Sequence, residues 1–177
     1  MTSGQQALAP TRALGSTGLQ VSPLCLGGNV FGWTADETQS FAVMDAYASA
    51  GGNFIDTADV YSEWIPGNTG GDSEKVIGAW LAARGNREDM IIATKVAKMS
   101  SMRGLAPDTI RAAVDGSLTR LGTDYIDVYY AHMDDPSTPI EDTLGAFDEL
   151  VRSGKVRHIA ASNSHPYLID THISYIY

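Results

Sequence analysis

Short apolar runs alternate along this chain with longer stretches in which apolar residues recur every three or four positions. The runs are LCLGG (24–28), NFIDTA (53–58), MIIATKV (90–96), YIDVYYAH (125–132) and VRHIAASN (156–163). Each is continuous and bounded by turn residues, so each predicts a buried β-strand. Four helical patterns lie between them. DETQSFAVMDAYASA aligns Phe41, Met44 and Ala48, and SEKVIGAWLAARG aligns Val76, Ile77, Trp80 and Leu81 before a stop at Gly85. PDTIRAAVDGSLTRLG spaces Ile110, Val114, Leu118 and Leu121 along one face, with Gly122 as its end. The fourth opens with Thr138-Pro139-Ile140-Glu141, which predicts a capping box with proline in the first turn. Its expected buried face is Ile140, Leu144, Phe147 and Val151.

Strand-helix alternation of this kind predicts βαβ units around a parallel sheet. Two architectures compete: an open doubly wound sheet and a closed (β/α)8 barrel. An open sheet that holds a dinucleotide wants a glycine-rich turn after its first strand. LGGNVFGW places glycines at 27, 28 and 32, which is not the G-x-G-x-x-G spacing. Its helical periodicity also starts too late for a phosphate to rest on the helix end. A barrel instead predicts polar residues at the C-terminal tips of several separate strands. That is the pattern present.

Asp56 ends the second run, Lys95 ends the third and His132 ends the fourth, while Tyr61 follows in the loop after the second. In a barrel these four converge on one mouth. A phenol, with a reference pKa of about 10, needs a neighbouring cation to act as an acid near neutrality. Lys95 supplies that charge, Asp56 keeps the lysine protonated, and His132 orients a carbonyl oxygen. Such a set suits protonation of a carbonyl oxygen while hydride reaches its carbon. Each residue alone has a plainer explanation. Asp56 reads as a turn-capping acid, Tyr61 as a loop anchor and Lys95 as a solvated strand end. His132 opens HMDDPS, but no second histidine or thiolate stands near it, so no metal is expected. Asp134 and Asp135 before Pro136 read as turn chemistry.

Composition narrows the class. The 177 residues are 44% hydrophobic and 19% charged with a formal net charge of -9, ordinary for a globular domain and unsuited to nucleic acid. No apolar run approaches the ~18 residues of a membrane span, and MTSGQQALAP has no secretory pattern, so a cytoplasmic protein is expected. The single Cys25, inside PLCLGG, excludes an intrachain disulfide and is expected to be small and buried.

Several segments occur together in order: ALGSTGLQVSPLCLGG, GGNFIDTADVY, GDSEKVIGAWL, RLGTDYIDVYYAHMDD and PIEDTLGAFDELVRSGKVRHIAASN. Through them the chain resembles the aldo-keto reductases over residues 12–163. The resemblance implies a (β/α)8 TIM-type barrel with an N-terminal hairpin plugging its bottom. It also implies reduction of aldehydes and ketones with NADPH, with Tyr61 as general acid, Lys95 and Asp56 as its tuning pair, and His132 as the carbonyl-orienting residue. Ser162 and Asn163 would hold the nicotinamide carboxamide, and Gly28 and Asn29 would line the cofactor more loosely. A small carbonyl compound is the implied partner.

The pattern departs from the family after Asn163. A complete barrel takes about 250 residues, and about five of eight βα units are legible here. The chain is therefore expected to form a single partial barrel domain, with 164–177 as an atypical tail. Open edges at the first and fifth strands would favour pairing of two copies, and ISYIY near the end would cap an edge. The alternative to an active reductase is a truncated, inactive binding or regulatory module, or a fragment without a role.

Overall fold

The computed structural model describes residues 10–163. Two strands, β1 (Arg12–Ala13) and β2 (Gln20–Val21), form an antiparallel hairpin. The chain then runs β3 (Leu26–Gly27), α1 (Glu37–Ser49), β4 (Phe54–Asp56), α2 (Asp72–Arg84), β5 (Ile91–Val96), α3 (Pro107–Leu121), β6 (Ile126–Ala131), α4 (Ile140–Arg152) and β7 (Val156–Ala161). The five strands β3 to β7 form one parallel sheet whose spatial order is the chain order. A doubly wound sheet would reverse direction at a switch point, and no reversal occurs. With every crossover stepping the same way, all helices fall on one face, as in a barrel wall. Among the described residues β3 and β7 are the sheet's edges. The proposed edge cap ISYIY lies outside the described residues.

Two apolar cores cover the sheet. The larger joins Met44, Ile77, Trp80, Ile110, Val114 and Phe147 of the helices to Ile55, Ile92, Val96 and Tyr129 of the strands. The smaller lies on the opposite face, where Val21 packs with Ile91, Ala93 and Val128, flanked by Leu14 and Leu19 of the hairpin. Burial from both sides explains why every residue of β5 is buried and why IIATKV lacks the alternation of a one-sided strand. No helix of the described residues is long and apolar enough to cross a membrane.

Helix α2 meets α3 closely at Gly78, where an added Cβ would stand 2.8 Å from the Leu121 carbonyl carbon and nearer still to the Arg120 oxygen. Beside this contact the buried Glu74 accepts from Arg120 Nε (2.6 Å) and Thr94 Oγ1 (2.6 Å), tying α2, α3 and β5 together. At the opposite end of the sheet the Tyr125 ring lies between two guanidinium groups, Arg87 and Arg157, each 3.9 Å from its centroid. Both arginines pair with the buried Asp127, at 2.8 and 3.0 Å.

Three expectations need correction. Thr138 caps no helix: α4 starts after Pro139 without a side-chain cap, because the Thr138 hydroxyl donates to Asp135 instead. The capping box belongs to α1, between Asp36 and Gln39. The buried face of α4 is Thr143, Ala146, Phe147 and Leu150, while Val151 is 37% exposed. Ala146 and Thr143 are small enough to approach the sheet and α3, which turns the helix away from its most apolar stripe. Cys25 is exposed rather than buried. It precedes the two-residue edge strand β3 on the face away from the helices, where its neighbours Asp56 and Lys95 are polar.

Gly78→Ala is expected to destabilise the chain by roughly 1–3 kcal/mol through overpacking against α3. The midpoint of urea unfolding measures this, and an unchanged midpoint would show that α2 and α3 can part without cost.

Candidate active site

Parallel strands all end on the same side of the sheet, so chemistry placed at their C-terminal tips meets without any long-range folding of loops. Asp56 is the last residue of β4, Lys95 the fifth of six in β5, His132 the residue after β6, and Ser162 the residue after β7. The chain beyond β4 stays pinned to β5. Thr57 N–H donates to Ala93 O (2.8 Å) and Asp59 N–H to Lys95 O (3.2 Å). A tight turn follows, closed by Tyr61 N–H to Ala58 O and Glu63 N–H to Val60 O. Ser62 takes a positive φ of 70° there, and its buried hydroxyl donates to Phe31 O (3.0 Å). These bonds turn Tyr61 back over β5.

Lys95 is almost fully buried, and its ammonium makes three contacts. It donates to Asp56 Oδ2 (2.6 Å), Thr57 O (2.8 Å) and Tyr61 Oη (3.0 Å). The phenol lies 3.5 Å from Asp56 Oδ2, at the limit of hydrogen-bond reach, so the contact between them is weak. The His132 ring stands edge-on to Tyr61, with centroids 6.1 Å apart and planes at 77°. Burial, with Lys98 and Lys95 nearby, pushes His132 down to about 4, so the imidazole is neutral near pH 7. Its Nδ1 is buried without a hydrogen-bond partner among the described residues.

Ser162 and Asn163 adjoin this group. Ser162 N–H donates to Ala131 O (2.9 Å), and Asn163 Nδ2 donates to His132 O (3.1 Å) and Ser162 Oγ (2.9 Å). Asn163 adopts φ 57°, a left-handed conformation that asparagine tolerates well. Gly28 joins the site from below. Its N–H donates to Asp56 O (2.8 Å), and its carbonyl accepts from Ser73 Oγ (2.7 Å). A Cβ here would stand 2.9 Å from Ser73 Oγ, so the glycine is required by close packing under Asp56. Asn29 is exposed beyond it. Thus Asp56, Tyr61, Lys95 and His132 form one cluster, Ser162 and Asn163 border it through the His132 backbone, and Asn29 stands apart.

Residues not singled out from the sequence complete the surroundings. The Thr57 carbonyl is the third acceptor of Lys95, and a backbone group leaves no trace in residue identity. Trp64 and Trp33 continue an aromatic wall from Tyr61, with ring centroids 6.3 Å and 5.6 Å apart in successive edge contacts. Both tryptophans are about half exposed, at 48% and 47%. Their signal in the sequence was their placement in loops that follow the first two strands.

The profile of the Aldo/keto reductase family matches residues 23–171. The chain is 40% identical over 169 residues to norsolorinic acid reductase stcV of Emericella nidulans, covering 86% of this chain and 42% of that protein. It is 34% identical over 174 residues to aryl-alcohol dehydrogenase [NADP(+)] of Phanerodontia chrysosporium, covering 86% and 43%. The holo form of aldo-keto reductase AKR11C1 from Bacillus halodurans superposes with a TM-score of 0.80 at 34% identity, over 93% of this chain and 54% of that one. The chain therefore spans about half the length of the relatives it matches. A family profile covering most of its residues, together with a shared parallel sheet, decides the matter: the chain belongs to the aldo/keto reductase family.

Proposed function

We propose that this protein reduces aldehydes and ketones to alcohols with NADPH, Tyr61 giving its proton to the carbonyl oxygen. One observation carries this reading: the Lys95 ammonium hydrogen-bonds Asp56 and Tyr61 at once. When the phenol gives up its proton, the charge left on Oη faces a cation 3.0 Å away, where low dielectric strengthens the attraction. Asp56 is the ion-pair partner of that lysine, at 2.6 Å. The neutral His132 ring beside Tyr61 can donate a hydrogen bond to the carbonyl oxygen without competing for its proton.

The donor set also fits the cofactor. A nicotinamide carboxamide needs one acceptor and one donor side by side, and Ser162 and Asn163 present both next to His132. NADPH, when bound, supplies the hydride to the carbonyl carbon. The name of the Phanerodontia relative carries NADP(+), which supports the choice of cofactor. Gly28 and Asn29 would border the same cofactor at the mouth of β3. The Trp33–Trp64 wall favours flat aromatic carbonyl compounds, and the aryl-alcohol name of that relative points the same way. The reducing cytoplasm is the setting we propose.

Tyr61→Phe is expected to lower kcat/KM for an aromatic aldehyde by about 10²–10⁴-fold with NADPH affinity, read by fluorescence titration, unchanged. Retention of full turnover would remove Tyr61 from the role. A chain that binds NADPH without turnover would instead favour the binding-module alternative. Trp64→Ala is expected to raise KM for benzaldehyde-type substrates about tenfold while KM for a short aliphatic aldehyde stays within about twofold. Equal changes for both would show that Trp64 does not contact substrate. Because His132 takes up a proton only near pH 4, its own titration should add no inflection to the pH profile of kcat between about pH 5 and 8.

A further inference from the structure

A second group of buried polar side chains lies on the helix side of the turn that carries Tyr61. Asp59 is fully buried, and neither carboxylate oxygen has a hydrogen-bond partner among the described residues. From β6 the Tyr129 hydroxyl is likewise buried and unpartnered. From α2 comes the fully buried Glu74, whose two oxygens are already taken by Thr94 and by Arg120 of α3. Arg120 turns its remaining reach toward Ser117 Oγ (3.2 Å). The single cation of this group is thus paired with Glu74, and Asp59 has no ion of its own. Glu63, on the same turn, adds a second negative charge. Burial first, and then Glu74, push Asp59 up to about 7, against smaller opposing effects of Arg120 and the Val60 N–H. Tyr129 is raised well above its ordinary value by burial and by Asp59, so it stays neutral throughout this range.

Geometry links this acid to the proposed proton donor. Asp59 N–H is bonded to the carbonyl of Lys95, and Tyr61 N–H to the carbonyl of Ala58, the residue before Asp59. The Asp59 carbonyl faces Gly70, where an added Cβ would stand 2.9 Å away. The backbone of Asp59 is therefore held between β5 and the 67–71 loop, and its buried side chain lies within electrostatic reach of Glu74 of α2, Arg120 of α3 and Tyr129 of β6.

We propose that Asp59 is a positioning residue operated by a proton: its neutral acid seats the turn carrying Tyr61, and its ionisation loosens that turn from Lys95. An ionised Asp59 would be a buried, uncompensated charge beside Glu74. The helix face is packed, so the turn is the element that yields and lets water reach the carboxylate. The proposal rests on Tyr61 being the proton donor. An acid whose folded value is raised holds its proton more tightly in the fold, so its contribution to stability falls as pH rises from about 4 toward about 7, then levels off.

The experiment reads the red edge of tryptophan emission of the full chain, where the half-exposed Trp33 and Trp64 outweigh the buried Trp80. It reports the Trp33–Trp64–Tyr61 contacts, needs no turnover and runs across about pH 5 to 9. Wild type should show a transition centred near pH 7 and a fall in kcat/KM of roughly tenfold above it. Asp59→Asn, equal in size and always neutral, should show neither change and should keep its melting temperature flat over the same range. A transition that persists in Asp59→Asn, or is missing in wild type, overturns the proposal. Full activity in Tyr61→Phe alongside the expected emission transition would instead fault the donor assignment and spare the switch. Should Asp59→Asn fail to fold, the carboxyl ¹³C shift of Asp59 in wild type decides. A midpoint near pH 7 supports the proposal, and one near 4 ends it.

Discussion

An ammonium group has three protons and no lone pair, and in a protein interior each proton needs an acceptor. Lys95 finds all three acceptors in one stretch of chain: the Asp56 carboxylate, the Thr57 carbonyl and the Tyr61 phenol. The rest of the site follows from that demand. Asp56 must end β4 just short of Lys95 and on the same face of the sheet, which the parallel register provides by pairing Asp56 with Ala93, two residues before the lysine. The chain must then turn sharply so that Tyr61 returns over the sheet, and the positive φ of Ser62 marks where it does so. A buried cation has in effect specified both a strand register and a loop conformation.

Glu74 and Asp59 show how differently two buried carboxyl groups can be managed in one fold. Glu74 has a guanidinium and a hydroxyl and joins three elements of the fold. Asp59 has neither and is pushed toward neutrality by burial and by Glu74 itself. A paired charge inside a protein is structural glue, while an unpaired one is a group whose protonation the surroundings must follow. Only the second kind can respond to the medium.

The barrel-type sheet and the convergent four residues were legible because parallel strands turn a list of strand ends into a spatial cluster. Asp56, Lys95 and His132 each closed an apolar run, so their meeting required only the topology. What stayed hidden depended on contacts between elements. The face of α4 is set by where Ala146 and Thr143 allow close approach, and hydrophobicity alone placed Val151 in the core. Thr138 had the residue type of a cap but was claimed by Asp135, which also accepts from Leu105 N–H and Ser137. Asp59, within GGNFIDTADVY, carries no sequence signal of burial, since an aspartate in a turn ordinarily faces water. It is fully buried in the fold, within electrostatic reach of Glu74 and Arg120, residues that follow it by 15 and 61 positions. Cys25 misled for the opposite reason, because an apolar neighbourhood in sequence said nothing of which face the residue would take.

The two ends of the sheet are built on different terms. Around Tyr125 two arginines and Asp127 form a dense charged and stacked fastening that joins β6 to β7 and to the approach of β5. The opposite end gathers around the Lys95 ammonium and carries most of its other residues on loops. Descendants of such a chain can therefore exchange residues around the mouth, including the two tryptophans, while inheriting the fastening unchanged. Change at the mouth and continuity in architecture belong to opposite ends of the same five strands, so selection can act on one with little disturbance to the other.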